Sequence, residues 1–228
     1  PTAVGISASR RTDIPRYYAR WFAERLREGF AEYVPCGPPR RCSRSLAVRD
    51  VTHITHWTRW PLPFLPVLET ELEIGFPVLW NVTITGLGGT SVEPGIPDTE
   101  HAIIAMHALA GLVSPKAVVW RFDPLFLTKH HGPQELLARF EELAEALAGH
   151  VDRVAVSFDD PYEQRVRKNL LAWQARTGDT PIELPEDEKV ALLRAIEAAT
   201  RKHDICLTLC SSPELHARTG IPKTGCNR

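Results

Sequence analysis

From one end of the chain to the other, short stretches with a period of two alternate with longer stretches whose apolar residues recur every three or four positions. Strand candidates fall at 4–9, 30–36, 45–48, 51–58, 77–85, 118–123, 154–159 and 205–210. Helical spacing follows most of them. Ile14, Tyr18, Trp21, Phe22 and Leu26 make one such stripe, a proline-initiated run over 62–74 another, and Asp98 caps a third that reaches about Leu112. Leu136, Leu137, Phe140, Leu143, Ala144 and Leu147 form the next, then Val166, Leu170 and Trp173, then 186–202. Such alternation predicts parallel strands joined by crossover helices. About seven or eight strands suggest an α/β fold of the (β/α) barrel kind, complete or partly open, as a single domain over 1–228. A doubly wound open sheet is the runner-up; neither G-x-G-x-x-G nor G-x-x-x-x-G-K-[ST] occurs to support it.

The segment Val118-Val119-Trp120-Arg121-Phe122-Asp123-Pro124 shows what the strands carry. As a strand it places Val118, Trp120 and Phe122 on one apolar face and Val119, Arg121 and Asp123 on the other. Pro124, which has no N–H to donate, is expected to close it. Four other strands share the pattern, with Ser7 and Ser9, with Asn81, Thr83 and Thr85, with Ser157 and Asp159, and with Cys206, Thr208 and Cys210 on the polar face. Leaving one such group dry and unpaired costs on the order of 1–3 kcal/mol. A wet or liganded hollow at the strand C-termini is the less costly arrangement, the competing one being a hydrogen-bonded polar core with a few waters.

A formal net charge of −1 gives no global electrostatic case for nucleic acid or an acidic membrane as partner. No apolar run approaches the length of a membrane span. The first residues lack the basic and apolar regions of a signal peptide and read as a cytoplasmic start with the initiator Met removed. Five cysteines, an odd count, then read as thiols, metal ligands or redox groups. Cys206 and Cys210 lie roughly 13 Å apart along a straight strand and cannot share one small ion. Cys36, Cys210 and Cys226 can meet if the last and first strands come together, giving a thiolate site for zinc or iron–sulfur; inert buried thiols are the alternative.

Arg10, Arg11, Arg59 and Arg121 all fall at strand C-termini, where they suit a carboxylate or phosphate ligand, or else pair with Asp13, Asp123 and Asp159. Asp123, Asp159, Asp160 and Glu93 have the chemistry of a hard-metal ligand or general base. No H-E-x-x-H and no G-x-S-x-G occurs, and His53, His56, His130 and His131 are scattered. The expected substrate-binding set is Ser7, Ser9, Arg10, Arg11, Asp13, Arg59, Thr83, Thr85 and Glu93, with Arg121, Asp123 and Asp159 as catalytic candidates.

The segment Ile6-Ser7-Ala8-Ser9-Arg10-Arg11-Thr12-Asp13-Ile14-Pro15 resembles a bacterial family known as domain of unknown function 1848. Trp57-Thr58-Arg59-Trp60-Pro61 matches it too, although the family typically has Lys and Asn where Arg59 and Trp60 stand. So do Thr83-Ile84-Thr85-Gly86, Glu93-Pro94-Gly95-Ile96-Pro97, Trp120-Arg121-Phe122-Asp123-Pro124, Cys210, and Gly220-Ile221 through Cys226. The resemblance implies a C-terminal cysteine cluster similar to that of radical S-adenosylmethionine enzymes, with a [4Fe–4S] cluster and a radical reaction. The sequence departs from that pattern in ending at Arg228, where the cluster segment is expected to follow, and in having Pro213 where C-x3-C-x2-C needs a cysteine. The favoured expectation is a cytoplasmic barrel enzyme acting on an anionic small molecule. The alternatives are a divalent-metal hydrolase or lyase on a phosphorylated small molecule, and a non-catalytic binding module.

Overall fold

The computed structural model describes residues 3–9, 12–34, 40–158, 164–210 and 212–224. In chain order the elements are β1 (Val4–Ser7), α1 (Ile14–Tyr17), α2 (Ala19–Glu28), β2 (Phe30–Tyr33), β3 (Cys42–Ser45), β4 (Val51–Thr58), α3 (Leu65–Ile74), β5 (Val78–Thr83), α4 (Thr99–Leu112), β6 (Val118–Leu125), α5 (Pro133–Ala146), β7 (Arg153–Phe158), α6 (Gln164–Thr177), α7 (Glu186–Arg201), β8 (Cys206–Cys210), α8 (Pro213–Thr219) and β9 (Lys223–Thr224). This is an α/β fold. Its strands pair in the order β1-β4-β5-β6-β7-β8-β9, and β1/β4, β6/β7, β7/β8 and β8/β9 are parallel. Among the described residues no helix is long and apolar enough to cross a membrane.

Three local readings are corrected. β2 and β3, which overlap the candidates at 30–36 and 45–48, do not join the main sheet but pair antiparallel as a hairpin, Tyr33 opposite Cys42. The connection between them is shorter than the dozen or so residues that a parallel crossover needs. Pro124 does not close its strand. β6 continues to Leu125, opposite Phe158, with its register shifted between Phe122 and Leu125, and the Asp123–Pro124 peptide bond is cis. The tail contributes a short strand, β9, with Thr224 beside Cys210.

The chain divides into two compact units, Pro1–Asn81 and Val82–Arg228. In the first, Phe22 and Leu26 of α2, Ile54 of β4, Phe64 and Leu68 are buried together with Trp80. Strand parity also turns His56 of β4 into this core, where it is 0 % exposed. Its ring lies 4.4 Å from that of Trp80 and 4.6 Å from that of Phe64. α3 supplies the partner. Glu71, also 0 % exposed, lies with its carboxylate oxygens 3.0 and 3.1 Å from His56 Nε2. Nδ1 of His56 and Nε1 of Trp80 have no partner among the described residues.

In the second unit the apolar face of β6 packs against α5. Val118, Trp120 and Phe122 are buried; Trp120 stacks on Phe140 at 5.0 Å and Phe122 meets the same ring edge-on at 5.0 Å. Trp120 Nε1 donates to the Ile84 carbonyl at 2.9 Å, so the buried indole leaves no unpaired donor. α4 begins at Asp98, whose Oδ1 accepts from the His101 amide at 3.0 Å and lies 2.8 Å from His101 Nδ1.

Two predictions follow from these contacts. Leaving a buried hydrogen-bonding group without its partner costs about 1–3 kcal/mol. Glu71→Ala is therefore expected to lower the urea midpoint by that equivalent, and Glu71→Gln, which keeps an acceptor, by less; an unchanged midpoint refutes the pairing. At the α4 cap, Asp98 raises the pKa of His101 above its ordinary 6.5, through its hydrogen bond and then its charge. The His101 part of the cap is thus fully present below 6.5 and lost as pH rises through the raised value. An NMR titration of His101 should show the elevation, and Asp98→Asn should remove it.

Candidate functional site

In the second unit the polar strand face carries the densest chemistry. Register places Arg121 beside Ala155 on β7, and Ala155 beside Thr208 on β8. The small Ala155 leaves room for the guanidinium to lie across β7 toward β8. There Cys210 lies close enough to act on its charge. Its other contact is along its own strand: Arg121 Nε donates to Asp123 Oδ1 at 3.2 Å and Nη2 donates to Oδ2. The two side chains are only 7 % and 15 % exposed. Burial alone depresses a guanidinium's pKa; here the charge and hydrogen bonds of Asp123, with Cys210 behind them, more than offset burial and raise it above the ordinary value.

A second cluster gathers just after β5. Thr85 Oγ1 donates to Glu93 Oε2 at 2.8 Å, and Arg139 Nε of α5 donates to the Thr85 carbonyl at 2.9 Å. Desolvation lowers the pKa of Arg139, and the charge of Glu93 opposes that shift. Gly86 has φ +72°, and a Cβ there would lie 2.5 Å from Arg139 Cδ. A Cβ on Gly88 would lie 1.9 Å from the Pro97 carbonyl oxygen, so only glycine lets the loop fold back so closely. Thr83, Thr85 and Glu93 line a small recess here with Gly88 and Pro97. From the other side α6 holds the loop: Trp173 Nε1 donates to Ser91 Oγ at 3.2 Å, and Arg176 donates to the Ser91 carbonyl at 3.2 Å.

In the first unit, Asp13 uses both carboxylate oxygens on backbone amides. Oδ1 accepts from Arg16 at 3.0 Å, capping α1, and Oδ2 accepts from Arg59 at 2.9 Å at the end of β4. Ser9 has φ 74°, uncommon for a residue with a Cβ, and its Oγ accepts from the Ile14 amide at 3.1 Å. Ser7 and Ser9 line a cavity of this unit.

The expected residues therefore fall into groups. Arg121, Asp123 and Cys210 are joined; Thr83, Thr85 and Glu93 share a recess; Ser7 and Ser9 share a cavity wall; Asp13 is bound to the Arg59 backbone. Arg10, Arg11, Cys36, Asp159 and Cys226 lie outside the described residues, and with them two of the three expected cluster ligands. Cys210, half-buried beside an N–H donor, is the donor type that a cluster takes. Cys206, at the start of β8, is exposed. Among the described residues no three His, Cys, Asp or Glu side chains converge as a metal site. Arg139 was not anticipated. Its signal is a cation one turn from Leu136 and Leu143 and next to Phe140, inside the apolar stripe of its helix.

Parallel strand pairs and crossover helices define an α/β protein, with a charged pair and a thiol toward the strand C-terminal ends. The family model described as Domain of unknown function (DUF1848) matches residues 5–228, and the chain belongs to that family. No curated protein matches it.

The Arg121–Asp123 pair gives a test. Asp123→Asn leaves a buried guanidinium without its counter-charge and should destabilise by about 3–5 kcal/mol. The double replacement Arg121→Met with Asp123→Leu should recover much of that loss in chemical unfolding. A single mutant as stable as wild type would show that the pair does not hold the strand end.

Proposed function

We propose that the chain is an enzyme of (β/α)-barrel type that acts on an anionic small molecule at the strand C-terminal ends of its second unit. Cys210 would be one of the thiolate ligands of an iron–sulfur cluster, with Cys226 of the same unit as another. S-adenosylmethionine is the co-substrate that the family resemblance implies. The observation that carries this reading is that Arg121, paired with Asp123, holds its charge close to Cys210. A purely structural ion pair needs only Asp123. Here Asp123 orients the guanidinium and keeps its charge near Cys210, which pairs in register with Thr224. A bound cluster supplies one-electron reduction; the protein's own groups hold the sulfur, keep a positive charge beside it and present hydroxyls to the substrate. A reducing, cytoplasmic setting belongs to this reading, since it keeps the cysteines as thiols.

Anaerobic reconstitution with ferrous iron and sulfide tests the proposal. Bound iron and broad visible absorbance are expected in wild type, lost in Cys210→Ala and retained in Cys206→Ala. No iron in the wild-type protein, or equal iron in both variants, refutes the cluster. Tight binding of Mg²⁺ or Mn²⁺ without iron would point instead to a divalent-metal hydrolase or lyase.

A further inference from the structure

The first unit holds a cavity of about 500 Å³ that plays no part in the reaction proposed above. Its volume lies in the range of about 300–1,000 Å³ typical of small-molecule sites. β1 and the residues just after it contribute Gly5 through Ser9, α1 contributes Ile14, and α2 contributes Trp21 and Phe22. The β2–β3 hairpin contributes chiefly one of its faces, with Glu32 and Val34 beside it: Ala31 is opposite Arg44, so by strand alternation Ala31, Tyr33, Arg44 and Leu46 project the same way. All four line the cavity.

The lining specifies a ligand. Trp21 and Tyr33 remain 38 % and 42 % exposed, large rings left in solvent at the edge of a hollow. Arg44 has a single side-chain contact among the described residues, a marginal one of 3.4 Å from Nη2 to the Tyr33 hydroxyl; no carboxylate there balances it. Glu32, which also lines the cavity, is exposed and lies 3.7 Å from Arg41 rather than on Arg44. The β1 edge adds polar groups. Ala8 N donates to Thr55 of β4, so the alternation of a parallel pair turns the backbone N–H and C=O of Gly5 and Ser7 away from β4. A flat apolar body fits the rings, and a carboxylate fits the uncompensated guanidinium, which binds such groups bidentately.

We infer that this cavity binds a small aromatic carboxylic acid, its ring against Trp21 and Tyr33 and its carboxylate on Arg44. The inference stands independently of the iron–sulfur reading of the second unit. Indole-3-acetate is a direct probe, titrated by calorimetry with indole and acetate as controls. The acid should bind at one site, more tightly than either fragment. Arg44→Gln should weaken it by roughly tenfold, to the level of indole, and leave indole unchanged. Trp21→Ala should weaken acid and indole alike. Ala31→Trp, which fills the hollow from the hairpin, should abolish binding with the unfolding midpoint retained. No binding of the acid, binding no tighter than indole, or an Arg44→Gln variant with undiminished affinity overturns the inference.

Discussion

A guanidinium can be buried on the polar face of β6 because a carboxylate stands two residues further along the same face. Arg121 is 7 % exposed, and without Asp123 its charge would sit in a poorly solvated place with no counter-charge on its own strand. Strand parity imposes the rest. With Arg121 and Asp123 turned one way, Trp120 and Phe122 must turn the other, where Phe140 of α5 meets both rings. The small Ala155 beside Arg121 then lets the cation reach Cys210. A larger side chain at 155 would close that path.

The first unit buries a hydrogen-bonded polar pair instead. His56 and Glu71 lie among aromatic rings between β4 and α3, away from solvent altogether. Such a pair suits a packing role, since nothing can approach either group without opening the core. Arg121 keeps a half-buried thiol beside it, and Arg44 stands at the mouth of a hollow. These two cations are placed for chemistry or recognition in a way that the His56–Glu71 pair is not.

Much of the scaffold was legible because it depends on local periodicity and caps. The β4 span, the start of α4 at Asp98 and the apolar faces carrying Trp80, Trp120 and Phe122 follow from spacing alone. The pairing of Arg121 with Asp123 was also readable, since both residues lie on one strand. What needed coordinates depended on residues distant in sequence. The β2–β3 hairpin looked like two more sheet strands until its short connection was weighed. Arg139 reaches Thr85 across 54 positions, and His56 meets Glu71 across 15. The Arg44 cavity exists only once the hairpin folds over β1, so no spacing rule pointed to it.

The attachment of Ser91 to α6 has a mechanical consequence. Its hydroxyl and carbonyl are gripped by Trp173 and Arg176, while the same loop is bound at its base by Arg139 through Thr85. The segment over the β5 recess is therefore a strut between two helices and not an independent flap. Displacing it requires α6 to travel with it or both of its fastenings to let go, and lengthening it by a residue would throw the two anchor points out of step.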